Sequence, residues 1–339
     1  MVFNRTSETD EDLGLAATYL GNEHVVFGGF VIRGRPIDGS LDPVYSGYAL
    51  RAPSIRAQIV RMGQGVIRAN IGQQNLKLVL APVPSISEQR AIAAALSDVD
   101  AVLKVLGNLI FKKRNLKQAA MQQLLSGKKR LPGFKNVWEM KSLNLLTTRS
   151  TGVWGKNEAD KYSTRRVSII RAGDISQEGK LVASAVRYIS PSEYEKAKCE
   201  LDQLVITTSG NGLGKVWWCD GRCDIAASNF VRVIKPHKEK VLGKFLYYML
   251  RTNEGLRQLQ EHTATSAYPN LRPTYFSTVW IPVPPLPEQT AIAAALSDMD
   301  NELDVLEARL SKTHAIKQAM TQELLTGKTR LIPTGASHA

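Results

Sequence analysis

Two stretches of the chain share one helical pattern of apolar positions. In both, apolar residues recur at alternating intervals of four and three residues, which is the a/d seam of a coiled coil. The seam residues are Ile92, Leu96, Val99, Leu103, Leu106 and Ile110 in the first stretch, and Ile292, Leu296, Met299, Leu303, Leu306 and Leu310 in the second. This pattern predicts two long amphipathic helices that pack against each other through these side chains. The alternative, two separate core helices, fits so long a seam less well.

The two stretches are also copies of one sequence. Residues 83–131 and 283–331 align without a gap, and 27 of the 49 positions are identical. Gly127 and Gly327, each followed by a basic residue, are typical of helix C-termini. The chain therefore alternates two different segments with two copies of one helix, each roughly 58 Å long at 1.5 Å per residue.

Charge indicates how the two helices pair. The second half of the first helix is basic at Lys112, Lys113, Arg114 and Lys117, and the first half of the second helix is acidic at Asp298, Asp300, Glu302, Asp304 and Glu307. Antiparallel packing places these groups opposite each other, whereas parallel packing leaves the acidic half unmatched. We therefore expect an antiparallel pair in which Lys112 lies near Glu302 and Lys117 lies near Ser297.

The segments before the helices predict mixed α/β domains. Within residues 132–282, strands are predicted at 167–171, 204–208, 216–219 and 230–234, and a helix at 241–261. Residues 1–36 can be laid on residues 204–236, so the first segment repeats only the later half of the second and has no counterpart of residues 131–203. The predicted fold class is α+β, with two mixed α/β domains separated by two long helices that form an antiparallel coiled coil. The predicted boundaries are 1–82 for a partial first domain, 83–131 and 283–331 for the helical spacers, 132–282 for the second domain and 332–339 for a tail.

Composition narrows the class of partner. The net charge of the 339-residue chain is +13, and the excess is +1, +6, +8 and −2 in residues 1–82, 83–131, 132–282 and 283–339. A basic balance of this kind favours a polyanion partner, usually nucleic acid. The chain has no signal-peptide pattern and no apolar run near 18 residues, and its three cysteines suit a reducing cytosol. A cytoplasmic location is expected. A zinc site at Cys219, Cys223 and His237 is a minor alternative.

Three short motifs imitate catalytic or phosphate-binding sites. The sequence Asp-Pro-Val-Tyr at 42–45 resembles a methyltransferase loop, but no glycine-rich cofactor loop accompanies it, so a catalytic role there is not favoured. Residues 210–215 imitate a phosphate loop without its first glycine or the Ser or Thr after Lys215. A hairpin or a DNA-facing loop fits better there. Gly327 opens a Gly-Lys-Thr sequence at a helix C-terminus, where the helix dipole repels phosphate.

The repeated segment resembles a known family. The sequence PPLPEQ at 284–289, the helix after it, and the closing KQAM at 317–320 and LLTGK at 324–328 resemble the conserved region of the specificity subunit of type I restriction-modification enzymes. The first copy carries the same pattern, and the resemblance implies that the motif at 42–45 is a helix start. The sequence RLPGF at 130–134, with Trp138, resembles that family's entry into its second target recognition domain.

The resemblance implies a DNA-recognition scaffold. Family members hold two target recognition domains at the ends of an antiparallel helix pair, and each domain reads one half of a split site in double-stranded DNA. The chain itself would carry no catalytic centre, cofactor or metal. Two methyltransferase subunits would bring S-adenosylmethionine, and restriction and motor subunits would use ATP and Mg²⁺. The chain departs from the pattern by lacking the front of the first recognition domain, so the alternatives are a truncated or silent specificity cassette that only binds partners and, less favoured, an independent enzyme.

Candidate DNA contacts lie in residues 132–282. They are polar or basic side chains in predicted strands and loops, because arginine and asparagine can make paired hydrogen bonds to guanine and adenine while lysine and serine more often hold phosphates. The candidates are Arg165, Arg166, Arg171, Thr207, Thr208, Ser209, Asn211, Lys215, Ser266, Tyr268, Asn270 and Arg272. For each one, a solvated surface or turn position is an equally good interpretation.

Overall fold

The computed structural model divides the chain into two compact units. It describes residues 1–65, 68–210, 212–222, 224–261, 263–264, 270–271 and 274–332. The first unit comprises Met1–Phe111 and Asp304–Ala339, and the second comprises Lys112–Leu303. Across these described ranges, no helix combines the length and apolar character needed to cross a membrane.

The first unit contains short strands and helices before a long helix. Its elements are β1 (Val2–Asn4), β2 (Thr6–Ser7), β3 (Ala16–Ala17), β4 (Val31–Arg33), α1 (Pro43–Ala49), α2 (Pro53–Arg61), β5 (Ala69–Asn70), α3 (Gln73–Leu76) and the first part of α4 (Ile86–Leu125). Strand β1 pairs antiparallel with β3 on one side and β4 on the other. Asp42 caps α1, because its carboxylate accepts the backbone N–H groups of Val44 and Tyr45. The motif at 42–45 is therefore a helix start.

The second unit continues with two principal sheets. Its elements after α4 are β6 (Glu139–Ser142), α5 (Leu143–Leu146), β7 (Thr147–Thr151), β8 (Arg165–Ile170), β9 (Ala185–Ile189), α6 (Pro191–Ala197), β10 (Leu204–Thr207), β11 (Val216–Trp218), β12 (Ile225–Ala227), β13 (Val231–Pro236), α7 (Gly243–Leu250), α8 (Asn253–Glu261), β14 (Thr263–Ala264), β15 (Asn270–Leu271), α9 (Tyr275–Thr278), β16 (Trp280–Val283) and the first part of α10 (Leu286–Leu325). One sheet has the antiparallel order β11-β10-β13-β7, and the other has the order β12-β8-β9.

The four predicted strands are present as β8, β10, β11 and β13, with ends shifted by at most two residues. The single helix predicted at 241–261 is wrong, because the structure has two helices there, α7 and α8. The chain bends at Arg251 and Thr252, whose N–H groups donate to the carbonyls of Tyr248 and Met249. The Thr252 hydroxyl then accepts the N–H of Gly255 at 3.0 Å, so this threonine caps the second helix.

The topology of the first unit recurs in the second. Strand β10 lies between β11 and β13 as β1 lies between β3 and β4, and all four pairings are antiparallel. Helices α7 and α8 begin 200 residues after α1 and α2. This correspondence supports the alignment of residues 1–36 with residues 204–236.

The two long helices, each of 40 residues, pair antiparallel within each unit. In the second unit, Lys113 Nζ lies 2.6 Å from Glu302 Oε1, and Lys117 forms an ion pair with Asp300. Rising numbers on α4 therefore meet falling numbers on α10. In the first unit the same arrangement occurs with the copies exchanged, because Lys317 forms an ion pair with Asp100 at 2.5 Å.

The predicted orientation is correct, but the predicted register is wrong. Glu302 pairs with Lys113 and not with Lys112, and Lys117 pairs with Asp300 and not with Ser297. The reason is the heptad position. Residues 113 and 117 continue the a/d seam toward the partner helix, whereas residue 112 occupies a c position and is exposed.

The predicted seam residues are all buried or half-buried. At the start of each helix they also enter a domain core. Ile92 and Leu96 join the core of the first unit, with Tyr45 and Ile55. In the second unit, the cluster that includes Phe245 and Tyr248 takes in Ile292 and Leu296. The start of each long helix is therefore an integral part of the adjoining domain.

A buried glutamate fixes the start of each long helix. Glu288 is 1% exposed, and its carboxylate accepts two hydrogen bonds from Arg130, at 2.5 and 2.6 Å, and one from the indole N–H of Trp138 at 3.0 Å. Glu88, also 1% exposed, pairs in the same two-pronged way with Arg330. Each glutamate is thus bound by the arginine that follows the other copy of the helix.

The next residue ties the helix to its domain. Gln289 is fully buried; its Oε1 accepts the N–H of Leu242, and its Nε2 donates to the carbonyls of Lys240 and Pro284. In the first unit, Gln89 makes the same three hydrogen bonds to the residues 200 positions earlier, Asp42, Ser40 and Pro84. The Glu-Gln sequence present in both copies is therefore a structural joint.

A second joint lies about three turns further along each long helix, where an aspartate binds a tyrosine of the domain and a lysine of the other long helix. Tyr248 donates its hydroxyl to Asp300 at 2.7 Å, and Lys117 pairs with the same carboxylate. Burial raises the pKa of the Tyr248 phenol, so the hydroxyl remains a donor. The first unit repeats this joint with Tyr48, Asp100 and Lys317.

Crosslinking tests the helix orientation. In a background without native cysteines, we expect a disulfide between Cys substituted at 113 and 302. We also expect one between Cys at 120 and 295, because in an antiparallel pair one heptad forward on α4 lies opposite one heptad back on α10. The crossed pairs, 113 with 295 and 120 with 302, are the matched controls. A mobility shift of the monomer after oxidation reports the bond, and crosslinking of the crossed pairs would contradict antiparallel pairing.

Glu288→Gln should destabilise the chain, because Arg130 would lose its charged partner and one of the two carboxylate oxygens that it binds. We expect a loss of about 2–4 kcal/mol, less than for a fully buried pair because Arg130 is partly exposed. Glu88→Gln should cost less, because Arg330 is more exposed than Arg130 (45% against 26% for the side chains). Urea unfolding measures both, with the exposed Glu158→Gln as control. Equal, negligible effects of all three would contradict this role.

Candidate nucleic-acid interface

The second unit contains a cleft of about 810 Å³ lined by both of its sheets. The β10–β11 hairpin, the β12–β13 turn, strand β9 and strand β15 all contribute to its walls. The lining residues are Trp154, Gly155, Ile169, Arg171, Ala172, Gly173, Ala185, Arg187, Thr208, Ser209, Gly210, Ser228, Asn229, Phe230, Arg232 and Asn270. Segments far apart in the sequence therefore meet in one concave surface.

The cleft is basic. Arg171, Arg187 and Arg232 line it, and among its described lining residues none is acidic. Arg149 and Arg232 also line an adjoining depression of about 390 Å³. The carboxylate of Asp174 accepts hydrogen bonds from Arg171, which fixes the direction of the guanidinium and raises its pKa. A surface of this charge and shape suits a polyanion.

Two exposed aromatic rings stand at the cleft. Trp154 and Phe230 pack edge to face, with ring centroids 5.0 Å apart, and yet remain 68% and 45% exposed. In the adjoining depression, the Arg149 guanidinium lies 4.4 Å from the ring centroid of Phe276. Large apolar rings left in water beside arginines are typical of a contact surface.

The hairpin between β10 and β11 forms one wall. The Thr207 hydroxyl accepts the N–H of Lys215 at 2.9 Å and donates to the Gly212 carbonyl. Gly210 and Gly214 have positive φ values of 79° and 84°, which the tight turn requires. The segment that imitates a phosphate loop is thus a closed hairpin, one of the two interpretations that its sequence favoured.

The structure brings four of the predicted DNA-contact residues together. Arg171, Thr208, Ser209 and Asn270 line the cleft, and Ser209 forms a backbone bridge with Asn270. Four other candidates, Asn211, Ser266, Tyr268 and Arg272, lie outside the described residues.

The remaining candidates do not line the cleft. Arg165 forms an ion pair with Asp224 at 2.7 Å and stacks 3.7 Å from the Tyr194 ring centroid. Thr207 is fully buried and holds the hairpin closed. Arg166 is exposed on β8, and Lys215 is half-buried where the hairpin enters β11.

The cleft residues that sequence reasoning missed include Trp154, Arg187, Ser228, Asn229, Phe230 and Arg232. A signal existed for Arg232, because the fully buried Val231 and Val233 place it on the opposite face of β13. Trp154 had no such signal, since it follows β7 in a loop.

A zinc site at the cysteines finds no support in the described part of the chain. Cys219 is fully buried in an apolar cluster, and burial raises the pKa of its thiol. Cys223 lies outside the described residues. Elsewhere in those ranges, no group of three or more His, Cys, Asp or Glu side chains could hold a metal ion.

Curated relatives resemble nearly the whole chain. The type I restriction enzyme StySPI specificity subunit of Salmonella potsdam is 23% identical over 316 residues, which is 88% of this chain and 67% of that protein. A putative type I restriction enzyme MjaX specificity subunit of Methanocaldococcus jannaschii is 23% identical over 337 residues, or 95% of this chain and 77% of that protein.

A solved structure shares the fold. The crystal structure of a type I restriction-modification system S subunit from M. genitalium aligns with a TM-score of 0.61 and 18% identity, over 96% of this chain and 82% of that one. The family model described as type I restriction modification DNA specificity domain matches residues 126–313, more than half of the chain. The paired repeats, the α+β architecture and this match together establish that the chain belongs to the type I restriction-modification specificity subunit family.

Proposed function

We propose that this chain is the DNA sequence-recognition subunit of a type I restriction-modification complex and that residues 132–282 read one half of a split site. The observation that carries the proposal is the basic, aromatic-walled cleft in a chain of this family. Arginines in such a cleft can bind guanine edges or phosphates, and amides can bind adenine edges. Residues 1–82 are the proposed domain for the other half-site.

The chemistry of the complex would lie on other subunits. In this proposal, methyltransferase subunits bind S-adenosylmethionine, restriction and motor subunits use ATP and Mg²⁺, and the complex works in the cytoplasm. Within the described residues, the motifs that imitate catalytic sites have structural explanations: the motif at 42–45 caps α1, and that at 210–215 is a hairpin. This subunit would then act by positioning its partners on DNA.

The outer faces of α4 and α10 carry the same exposed residues, which favours binding of two identical partners. All five c positions of the heptads are the same in both copies: Ala91, Asp98, Val105, Lys112 and Ala119, and 200 residues later Ala291, Asp298, Val305, Lys312 and Ala319. We call these two sets the c stripes. Val105 and Val305 are 64% and 68% exposed, so burial within this chain does not account for their identity.

Other exposed positions on the same helices differ between the copies. Phe111 corresponds to Ser311, and Asn108 corresponds to Ala308, although all four are exposed. A shared solvent-facing row beside such differences indicates that both stripes meet the same surface on a partner. We infer two copies of one partner, and we propose that this partner is the methyltransferase subunit.

Exchange of residues 132–282 tests the recognition role. In the assembled methyltransferase, replacing this segment with that of another family member should change one half of the methylated sequence and leave the other half, which serves as the internal control. The chain alone, with S-adenosylmethionine, ATP and Mg²⁺, should leave DNA unmethylated and uncut. An unchanged sequence would contradict the assignment, and assembly without any sequence preference would favour the scaffold-only alternative.

Charged substitutions in the c stripes test partner binding. Val105→Asp and Val305→Asp should each release one methyltransferase subunit, because an aspartate would be desolvated at the contact, and the double variant should release both. Native mass spectrometry of the assembled complex counts the subunits. Asn108→Asp and Ala308→Asp, at exposed positions that differ between the copies, are the controls. Retention of both subunits by the single valine variants would refute this docking surface.

A further inference from the structure

Two buried polar atoms without a hydrogen-bond partner lie at the cleft of the second unit. Among the described residues, Ser228 Oγ and Asn229 Oδ1 are buried without a hydrogen-bond partner, and both residues line the cleft. Ser150 Oγ is a third such atom, in the adjoining depression. A buried polar atom without a partner destabilises a fold, and at the wall of a cleft a bound molecule can supply the missing partner.

The turn that carries two of these atoms is held from several sides. Between β12 and β13, the N–H of Ser228 donates to the Ile170 carbonyl, and the N–H and hydroxyl of Thr208 both donate to the Phe230 carbonyl. A Cβ at Gly152 would lie 2.0 Å from the Ser228 carbonyl oxygen, so only glycine permits this close approach. These contacts fix the backbone of the turn, so Ser228 and Asn229 keep their places in the cleft wall.

We propose that Asn229, supported by Ser228, determines sequence specificity by accepting a hydrogen bond from the exocyclic amino group of a base in the major groove. The inference rests on the proposed function of the cleft and adds the residue and the base chemistry. The free atom of Asn229 is an acceptor, and in the major groove the amino groups that can donate to it belong to adenine and cytosine.

The surroundings suit such a contact. Arg171, Arg187 and Arg232 line the same cleft and can hold phosphates or guanines beside the base. Ser228, 4% exposed, adds a hydroxyl that can donate or accept. A site whose buried acceptor is satisfied only by the correct base discriminates strongly, because the wrong base leaves that acceptor unpaired.

Two substitutions separate adenine from cytosine. Asn229→Leu removes the acceptor and should lower the preference for one base pair of the methylated site by roughly 10- to 100-fold in the assembled methyltransferase. Asn229→Asp keeps an acceptor but loses the amide donor. It should retain the preference if the base is cytosine and lose it if the base is adenine, whose N7 also needs a donor. Asn144→Leu, exposed on α5, is the matched control and should change nothing.

DNA with a modified base completes the test. The modified DNA carries purine without the 6-amino group in place of adenine, or a pyrimidine without the 4-amino group in place of cytosine. Either change should weaken methylation by the wild-type complex about as much as Asn229→Leu does. Methylation by the Asn229→Leu complex should not fall further on this DNA. If the wild-type complex methylates a defined sequence but Asn229→Leu assembles and keeps every preference, the inference is overturned and the proposed function stands. If the wild-type complex has no sequence preference, the proposed function itself fails.

Discussion

The architecture of each unit depends on a buried carboxylate that must meet an arginine. A glutamate that is 1% exposed is costly as an anion unless a cation is held against it. For Glu288 that cation is Arg130, just after the end of α4; for Glu88 it is Arg330, just after the end of α10. The start of each helix therefore has to lie beside the end of the other, which only an antiparallel pair allows.

The internal duplication makes one set of contacts sufficient for both units. Gln89 and Gln289 attach their helices to the preceding loops through equivalent hydrogen bonds, and Tyr48 and Tyr248 bind Asp100 and Asp300 in the same way. Each of these contacts lies within one unit, between the two helix copies or between a helix and its domain. A substitution at one contact therefore weakens that unit and leaves the equivalent contact of the other unit intact.

The sequence predicted the helices better than their register. A seam of 3.5-residue period identifies the two helices, and the signs of the charges give their orientation. Pairing Lys112 with Glu302 failed because it matched charges without asking which heptad positions face the partner; Lys113 is on the seam and Lys112 is not. The helix at 241–261 failed for a local reason, since one threonine hydroxyl at Thr252 restarts the helix and leaves no mark on the apolar periodicity.

The cleft was harder to predict, because its residues become neighbours only after the two sheets form. Arg171 and Asn270 were identified by residue type alone, whereas Trp154, Arg187 and Arg232 come from separate segments whose local patterns do not indicate a shared surface. The periodicity of apolar residues shows which side chains are buried in a core. Residues of a recognition surface are not buried there, so this periodicity does not identify them. The joints at the helix ends have fixed partners inside the chain. The acceptor Oδ1 of Asn229 has no partner inside the chain. Such an unpaired group is expected at a surface where a bound molecule, and not the fold, supplies the hydrogen bond.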